Sequence, residues 1–397
     1  MSIQIALDNI KLQPCTQWGH TEYSMGYHTA YLKKAACVKH TDAEFHKRAY
    51  DALQFGFHWH THDGLLDWAK TGRVTDMGHA EYASDGTDKR QPCKSPFETP
   101  QDIWAFDALS EYGLPNFEDQ VTAYEQNIQM AKKRTPHQLT TGGYYKTIVS
   151  GAIQAFGWEM LLVAAADARK MEKVFDSFFR RTLFHMEAWA QTSVEVVIQH
   201  DDFVWTQGPF MYPEIYRQTI IPRYAELWKP IHKAGKKVLF CSDGNFTCFV
   251  DDLAEAGADG FIFEPCVNFG HMAEQYGQSH CLIGSFVDCR DLTFGTWDAV
   301  QNDIDRTLKA LENCKGAILA VGNHLPVRAT DQTEPSCLPI IHPFPHLTTH
   351  APASNLRSAP SNCPLPPWFW PNQNHARPSR TNEVPRALDR TIVSDTP

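Results

Sequence analysis

The sequence VEVVIQHDDFVWTQGPFMYPEIYRQTIIPRYAELWKPIHKAGKKVLFCSDG (194–244) contains a strand, a helix and a second strand in succession. Both ends of this segment are short and rich in β-branched and aromatic residues, as strands usually are. Between them, apolar residues recur every three or four positions, at Tyr216, Ile220, Tyr224, Leu227 and Ile231. Pro213 suits the first turn of this helix because proline lacks an N–H, and Gly235 ends it. A helix between two strands predicts parallel strands joined by a crossover.

The same alternation extends in both directions along the chain. A second helix is predicted with Thr296 as its N-cap, a buried stripe from Val300 to Leu311, and Gly316 at its end. Eight strands alternating with helices predict a (β/α)8 TIM barrel of the α/β class. A doubly wound open sheet is the alternative, but the sequence has no GxGxxG or GxxxxGK[ST] phosphate-binding turn. The six further strand candidates are FGFHWHTHD (55–63), VTDMGH (74–79), QLTTGGYY (138–145), GFIFEP (260–265), HCLIGSFVD (280–288) and GAILAVGNH (316–324).

The chain divides into three parts by composition. Residues 1–44 are polar and are expected to form an irregular lead-in, and residues 45–328 are expected to form the barrel. The Pro-rich residues 329–397 are expected to be a disordered tail, because residues 331–397 hold 13 of the 25 prolines and no glycine. No helix pattern follows His324, so the tail is a candidate for an aberrant end to the barrel.

Charge and cysteine usage exclude some classes of function. The chain of 397 residues has a formal charge of −10, which argues against binding to nucleic acid or to anionic membranes. Its longest strong apolar run, Met160 to Ala166, is far shorter than the roughly 20 residues of a membrane span. The N-terminus does not resemble a signal peptide. Eleven scattered cysteines predict free thiols and a cytoplasmic location.

Candidate metal ligands follow the later strands. Cys241 and Asp243 are two residues apart, so both point to the same face of their strand. Glu264 and His324 follow two other strands. A thiolate, two carboxylates and an imidazole from neighbouring strands would form a credible metal set. The alternative is that Cys241 is a buried thiol and Asp243 caps a turn.

Candidate catalytic carboxylates follow two other strands. Asp201 and Asp202 are adjacent, so only one of them can face the barrel mouth, where it could orient substrate or act as an acid or base. Their alternative role is to cap the loop from Thr206 to Pro213. Asp63 follows a row of histidines at positions 58, 60 and 62, whose span along a strand is too long for one metal ion. We therefore expect Asp63 and Asp202 to be catalytic and Asp201 to contact substrate.

A pair of glycines ends the third predicted strand. Gly142 and Gly143, followed by Tyr144, would let the backbone approach a substrate closely. The same pair could instead serve a tight corner of the barrel.

These motifs carry a resemblance to a known family. The segment from His200 to Phe246 resembles the uroporphyrinogen decarboxylase (URO-D)-like domain family, and the resemblance continues through DDLAEAGADGFIFEP (251–265), GSFVDCRDLTFGT (284–296) and GAILAVGNHLP (316–326). It is clear from about 135 to 328 and fainter from 45 to 134. The resemblance implies a (β/α)8 barrel. It also implies one of two activities, cofactor-free decarboxylation of uroporphyrinogen or zinc-dependent methyl transfer from a corrinoid protein to a thiol.

The resemblance favours the methyltransferase-like and uncharacterised members. True decarboxylases carry an N-terminal arginine-rich segment, whereas this chain has no arginine before Arg48. The methyltransferase branch has His-x-Cys after strand five and Cys after strand eight. The matching positions here are Cys241 and Asp243, then Asn323 beside His324, so the spacing is kept and the ligands differ. Zinc in that branch holds a substrate thiol as the thiolate.

Three interpretations remain open. The first is a methyltransferase-like enzyme that uses zinc at Cys241, Asp243, Glu264 and His324, with a corrinoid protein as partner and a methyl donor and thiol as substrates. The second is a decarboxylase of a porphyrinogen that needs no cofactor and in which Asp63 or Asp202 faces the pyrrole N–H groups. The third is a non-catalytic or truncated barrel. The oligomeric state is not predicted.

Overall fold

The computed structural model describes residues 2–325, except 16, 24, 63–64 and 76–93. Its nine strands are all parallel to their neighbours. They are β1 (Gly19–His20), β2 (Phe57–His58), β3 (Leu139–Thr140), β4 (Gly142–Tyr144), β5 (Val196–His200), β6 (Lys237–Ser242), β7 (Gly260–Phe263), β8 (Cys281–Gly284) and β9 (Ala317–Leu319).

Helices alternate with the strands along the chain. They are α1 (Ser2–Ile10), α2 (Thr29–Ala35), α3 (Phe45–Ala52), α4 (Pro100–Trp104), α5 (Ala108–Tyr112), α6 (Phe117–Arg134), α7 (Val149–Phe156), α8 (Trp158–Ala165), α9 (Ala168–Ala190), α10 (Pro213–Ile215), α11 (Ile221–Lys233), α12 (Val250–Ala256), α13 (Phe269–Tyr276), α14 (Cys289–Phe294) and α15 (Trp297–Leu311).

The strands close into a ring. Seven strands pair in the order β1-β9-β8-β7-β6-β5-β4, and β2 pairs with β3. β3 and β4 are one strand interrupted at Thr141. The gap between β1 and β2 is bridged by the Gly56 N–H, which donates to the His20 carbonyl at 3.0 Å, and by the Thr21 hydroxyl, which donates to the Phe57 carbonyl at 2.6 Å. Eight strand positions alternating with helices make the predicted (β/α)8 TIM barrel.

The first strand of the barrel differs from the prediction. The sequence placed strand one at 55–63, but β1 is Gly19–His20 and the 55–63 segment forms the second strand. Of the candidate VTDMGH (74–79), only Val74 and Thr75 are described, and they are not in a strand. A two-residue strand shows no alternation of polar and apolar residues, so no sequence pattern marks β1.

The segment 1–44, expected to be irregular, contributes to the barrel. Helix α1 directs Ala6, Leu7 and Ile10 into the cluster of side chains inside the strand ring. The side chain of Asn9 accepts a hydrogen bond from the Ala317 N–H at 3.0 Å, which ties α1 to β9. The polar composition of the segment did not predict this helix, whose apolar face covers one end of the barrel. The tail 329–397 lies outside the described residues.

The two helices predicted in detail are present. The segment from Pro213 to Lys233 is helical throughout, with a π-helical turn at Tyr216–Ile220 between α10 and α11. Pro222 has no N–H to donate to the carbonyl four residues earlier, and the helix widens just before it. Thr296 caps α15 by accepting the Ala299 N–H at 3.3 Å. That helix ends at Leu311, five residues before the predicted Gly316.

The eight cysteines in the described part of the chain are free thiols. Within the same residues, no helix has both the length and the apolar character needed to cross a bilayer.

Candidate functional site

Polar side chains converge where β5 and β6 end. His200 and Cys241 are register partners at the ends of these adjacent strands. Val196 and Ile198 precede His200 at alternate positions and lie in the cluster inside the ring, as Cys241 does. Asp202 and Asp243 come two residues later along the chain, just past the ends of the two strands.

Asp202 is the hydrogen-bonding centre of this group. Its Oδ1 is 2.9 Å from His200 Nε2 and accepts the Asp243 N–H at 2.9 Å. Its Oδ2 accepts the Tyr145 hydroxyl at 2.8 Å. The carboxylate is thus held in one orientation by a neighbouring strand end and by a tyrosine that follows β4.

The environment separates the pKa values of the two aspartates. Burial alone would raise the pKa of Asp202, but His200, the Asp243 N–H and the Tyr145 hydroxyl lower it below its usual value. Burial and the charge of Asp202 raise the pKa of Asp243 well above its usual value. Asp202 is therefore ionised at neutral pH, and Asp243 holds its proton more tightly than an ordinary carboxyl group does.

His200 is the cation that balances Asp202. Burial opposes its protonation, but the neighbouring Cys241 and Asp202 raise the pKa of His200 well above its usual value. Burial raises the pKa of the Cys241 thiol to about 11, against the opposing effect of His200. His200 and Asp202 therefore form an ion pair, with the Cys241 thiol and the Asp243 carboxyl group beside it.

His200, Asp202 and Asp243 have the geometry of a metal site. Each offers one ligand atom, and these atoms lie within 4.8 Å of one another. Imidazole nitrogen and carboxylate oxygen are common ligands of Zn²⁺ and of other divalent transition metals. The donor set therefore fits a divalent metal ion, provided that His200 and Asp243 lose their protons when it binds.

The predicted metal set is only partly brought together. Asp243 belongs to the group of His200, Asp202 and Asp243. Cys241 contacts His200 in this group. Glu264 accepts hydrogen bonds from the Gly244 N–H at 2.6 Å and from the Asn323 side chain at 2.8 Å. His324 packs its ring against Tyr23 with centroids 4.7 Å apart. No cluster in the described residues contains Cys241, Asp243, Glu264 and His324 as joint ligands.

Asp201, expected from the sequence to contact substrate, has a structural role in the fold. It is completely buried, and its oxygens accept the N–H groups of Ile148, Val149 and Ser150. It also accepts the hydroxyls of Ser150 and Tyr224. These bonds satisfy the unpaired N–H groups at the start of α7, so Asp201 caps this helix and not the loop from Thr206 to Pro213 considered from the sequence.

The glycine pair serves barrel packing. A Cβ on Gly142 would lie 2.6 Å from the Trp189 ring, and one on Gly143 would lie 2.7 Å from the Ile198 carbonyl oxygen. Tyr144 is buried on the helix side of the wall, where its hydroxyl accepts a hydrogen bond from Arg181 at 2.7 Å. Gly142, Gly143 and Tyr144, predicted to bind substrate, thus have packing roles in the barrel wall, which is the alternative considered for the two glycines.

Two site residues were not predicted. His200 lies two residues before Asp202, and in the structure it is the register partner of Cys241. The spacing of two residues from Asp202 is the sequence signal that could have identified His200. Tyr145 follows Tyr144 and so points to the opposite side of the strand, toward Asp202. The predicted catalytic residue Asp63 lies outside the described part of the chain. The histidines before it form no metal cluster with one another in the described residues.

Comparisons with known proteins agree with this fold. The chain aligns with a solved structure of a methyltransferase from Methanosarcina mazei with a TM-score of 0.55 and 15% identity, over 83% of this chain and 97% of the other. A mutant of the CcCel6A catalytic domain aligns with a TM-score of 0.26 and 11% identity over 76% of this chain and 71% of its own, a similarity too low to support any inference. A comparison with curated protein sequences gave no match.

A protein-family comparison identifies the group. The family model described as uroporphyrinogen decarboxylase (URO-D) matches residues 107–333, which is more than half of the chain. This range includes every described residue of the His200, Asp202 and Asp243 group. The chain therefore belongs to the uroporphyrinogen decarboxylase (URO-D) family.

Proposed function

We propose that this protein is a metal-dependent enzyme of the methyltransferase type within the URO-D family. The observation that carries the proposal is the convergence of His200, Asp202 and Asp243 at the mouth of the barrel, where TIM-barrel enzymes have their active sites. The similarity in fold to a methyltransferase supports it. Zinc is the metal that we propose, with Cys241 as an additional thiol donor beside the three ligands.

The surrounding residues would prepare the site for a metal. Tyr145 and the Asp243 N–H hold Asp202, so its oxygens stay close to the other ligand atoms. His200 and Asp243 each release a proton when the metal binds, because ligands act in their deprotonated forms. When bound, zinc would hold a substrate thiol as a nucleophilic thiolate. The proposed substrates are a small thiol and a methyl donor, with a corrinoid protein as partner in the cytoplasm.

Elemental analysis of the purified full chain tests the metal site. We expect stoichiometric zinc in the wild type and its loss in His200→Ala and Asp243→Ala. Asp298→Ala removes an exposed carboxylate elsewhere and should keep the metal. Circular dichroism should show folded protein in all three variants. Folded wild-type protein that binds no divalent metal would refute the proposal.

A positioning role for Tyr145 gives a finer test. Tyr145→Phe removes the hydroxyl that orients Asp202 and leaves the ligands intact. Loss of such an indirect contact typically weakens metal binding by about 10- to 100-fold. Competition with a chelator of known affinity would measure this change. An unchanged metal affinity would show that Asp202 is not positioned by Tyr145.

A decarboxylase is the second candidate function. The observation that favours it is the separation of pKa values between Asp202 and Asp243, which supplies one base and one acid in the same site. A proton donor is needed where a carboxyl group leaves a carbon atom as CO2. Formation of coproporphyrinogen from uroporphyrinogen without metal would favour this function. Folded protein with neither metal nor this activity would favour the non-catalytic barrel.

A further inference from the structure

A cavity next to β1 and β2 contains none of the three proposed metal ligands His200, Asp202 and Asp243. Its volume is about 530 Å³, which is in the range of small-molecule sites. It is lined by residues that follow β1, by residues 57–61 and by the last turns of α6. His200, Asp202, Asp243 and Cys241 are not among its lining residues, whereas His324, a ligand candidate from the sequence, is one of them. β1 and β2 lie across the strand ring from β5 and β6.

The walls of the cavity are aromatic. Tyr23, Tyr50, Phe55 and Trp59 line it. The rings of His58 and His60, which also line it, are nearly parallel, with an interplanar angle of 7° and centroids 5.6 Å apart. Flat rings on several sides favour a flat guest, because aromatic groups stack face to face or edge to face.

Two polar atoms of the lining residues are buried without a hydrogen-bond partner within the described structure. The first is the Nε1–H of Trp59, whose side chain is 7% exposed, and the second is Nδ1 of His58. Burial lowers the pKa of His58 to about 3, so its ring is neutral at physiological pH. A buried indole N–H normally has an acceptor, and a ligand that supplies one would remove the cost of leaving it unbonded.

The cavity also contains a positively charged guanidinium group. Arg134 lines it and donates to Nε2 of His46 at 2.6 Å, and it pairs with no carboxylate in the described part of the chain. Glu22 lines it too, but burial raises the pKa of this carboxyl group to about 8, so it is largely protonated at pH 7. A guanidinium binds a carboxylate through two parallel hydrogen bonds.

We propose that this cavity binds a planar aromatic carboxylate. The carboxylate would pair with Arg134, and the ring would lie among the aromatic side chains with an acceptor for the Trp59 N–H. This site is separate from the proposed metal site, so its test is independent of whether the protein binds metal.

Calorimetric titration of the full chain with three probes tests the proposal. Indole-3-carboxylate has both proposed features, indole-3-carboxamide lacks the charge, and cyclohexanecarboxylate lacks the flat ring. We expect indole-3-carboxylate to bind at least about 10-fold more tightly than either of the others, since each lacks one class of contact. No binding of indole-3-carboxylate at millimolar concentration, or equal binding of all three probes, would overturn the proposal.

Variants locate the binding to this cavity. Arg134→Gln should weaken binding of indole-3-carboxylate about 10- to 100-fold, and Trp59→Phe about 3- to 10-fold. Lys133→Gln is the matched control, because Lys133 is exposed on the same helix, carries the same charge and does not line the cavity. Arg134 is also exposed, so its replacement should not disturb folding. Equal loss of affinity in Arg134→Gln and Lys133→Gln would refute the assignment.

Discussion

Replacing Glu22 with glutamine should stabilise the protein, and the gain should grow as the pH rises. The carboxyl group of Glu22 is inside the structure, where both of its oxygens face the Val321 N–H at 3.1 and 3.3 Å. Burial raises its pKa from 4.5 to about 8, an effect that the Val321 N–H opposes. The folded protein therefore keeps a proton on Glu22 that the unfolded chain has already lost at neutral pH.

The size of the effect follows from this shift. Below pH 4.5 both states are protonated and Glu22 has no effect on the pH dependence of stability. Between pH 4.5 and about 8 the unfolded state is ionised and the folded state is not, so stability falls by about 1.4 kcal/mol per pH unit. The cost of Glu22 is then about 3 kcal/mol at pH 7 and approaches about 5 kcal/mol above pH 8. Glutamine is similar in shape and does not ionise.

Urea unfolding of wild type and Glu22→Gln at several pH values between 4 and 9 measures this difference. Any change in packing adds a constant, so the slope with pH is the quantity to compare. Glu255→Gln, which removes an exposed carboxylate, provides the background pH dependence. A stability difference that stays constant from pH 5 to 8 would show that the Glu22 carboxyl group is not held in its protonated form.

Three further predictions concern the site and its support. Asp201→Asn should lower the free energy of unfolding, measured by denaturation, by about 3 kcal/mol, since the amide cannot accept all the hydrogen bonds now made. Asp202→Asn should remain folded but lose its metal, as elemental analysis would show. Gly143→Ala should lower the free energy of unfolding by about 1 to 3 kcal/mol in the same denaturation assay, because the added Cβ would collide with the barrel wall. The metal dissociation constant should fall by up to about 100-fold per pH unit while His200 and Asp243 are both protonated, and a pH-independent value in calorimetry would contradict their role as ligands.

The parts of the fold with a long sequence pattern could be predicted. The helix from Pro213 to Lys233 has five apolar positions on one face, and strands β5 to β9 have apolar runs of sufficient length. Strand β1 has two residues, so its place is decided by its bonds to β9 and not by its own composition. Helix α1 was missed because its small apolar face is surrounded by polar residues.

The site was only partly predictable because it depends on which way each side chain points. The spacing of Cys241 and Asp243 predicts that both point the same way, and in the structure both lie next to His200. Choosing between Asp201 and Asp202, or between Tyr144 and Tyr145, required the orientation of strands that the sequence leaves open. The convergence of His200 with Asp243 depends on the register between β5 and β6, which adjacent residues in the sequence do not encode.

The bond between Asn9 and Ala317 has a consequence for how the protein reaches its native state. These residues are 308 positions apart, and β1 needs β9 as its neighbour in the ring. A ribosome makes α1 early, but β9, one of the strands that α1 contacts, emerges only after nearly all of the described chain has been synthesised. Contacts of such long sequence separation form slowly. Closure of the barrel is therefore a late event, and until then one end of its interior is open to water and to chaperones.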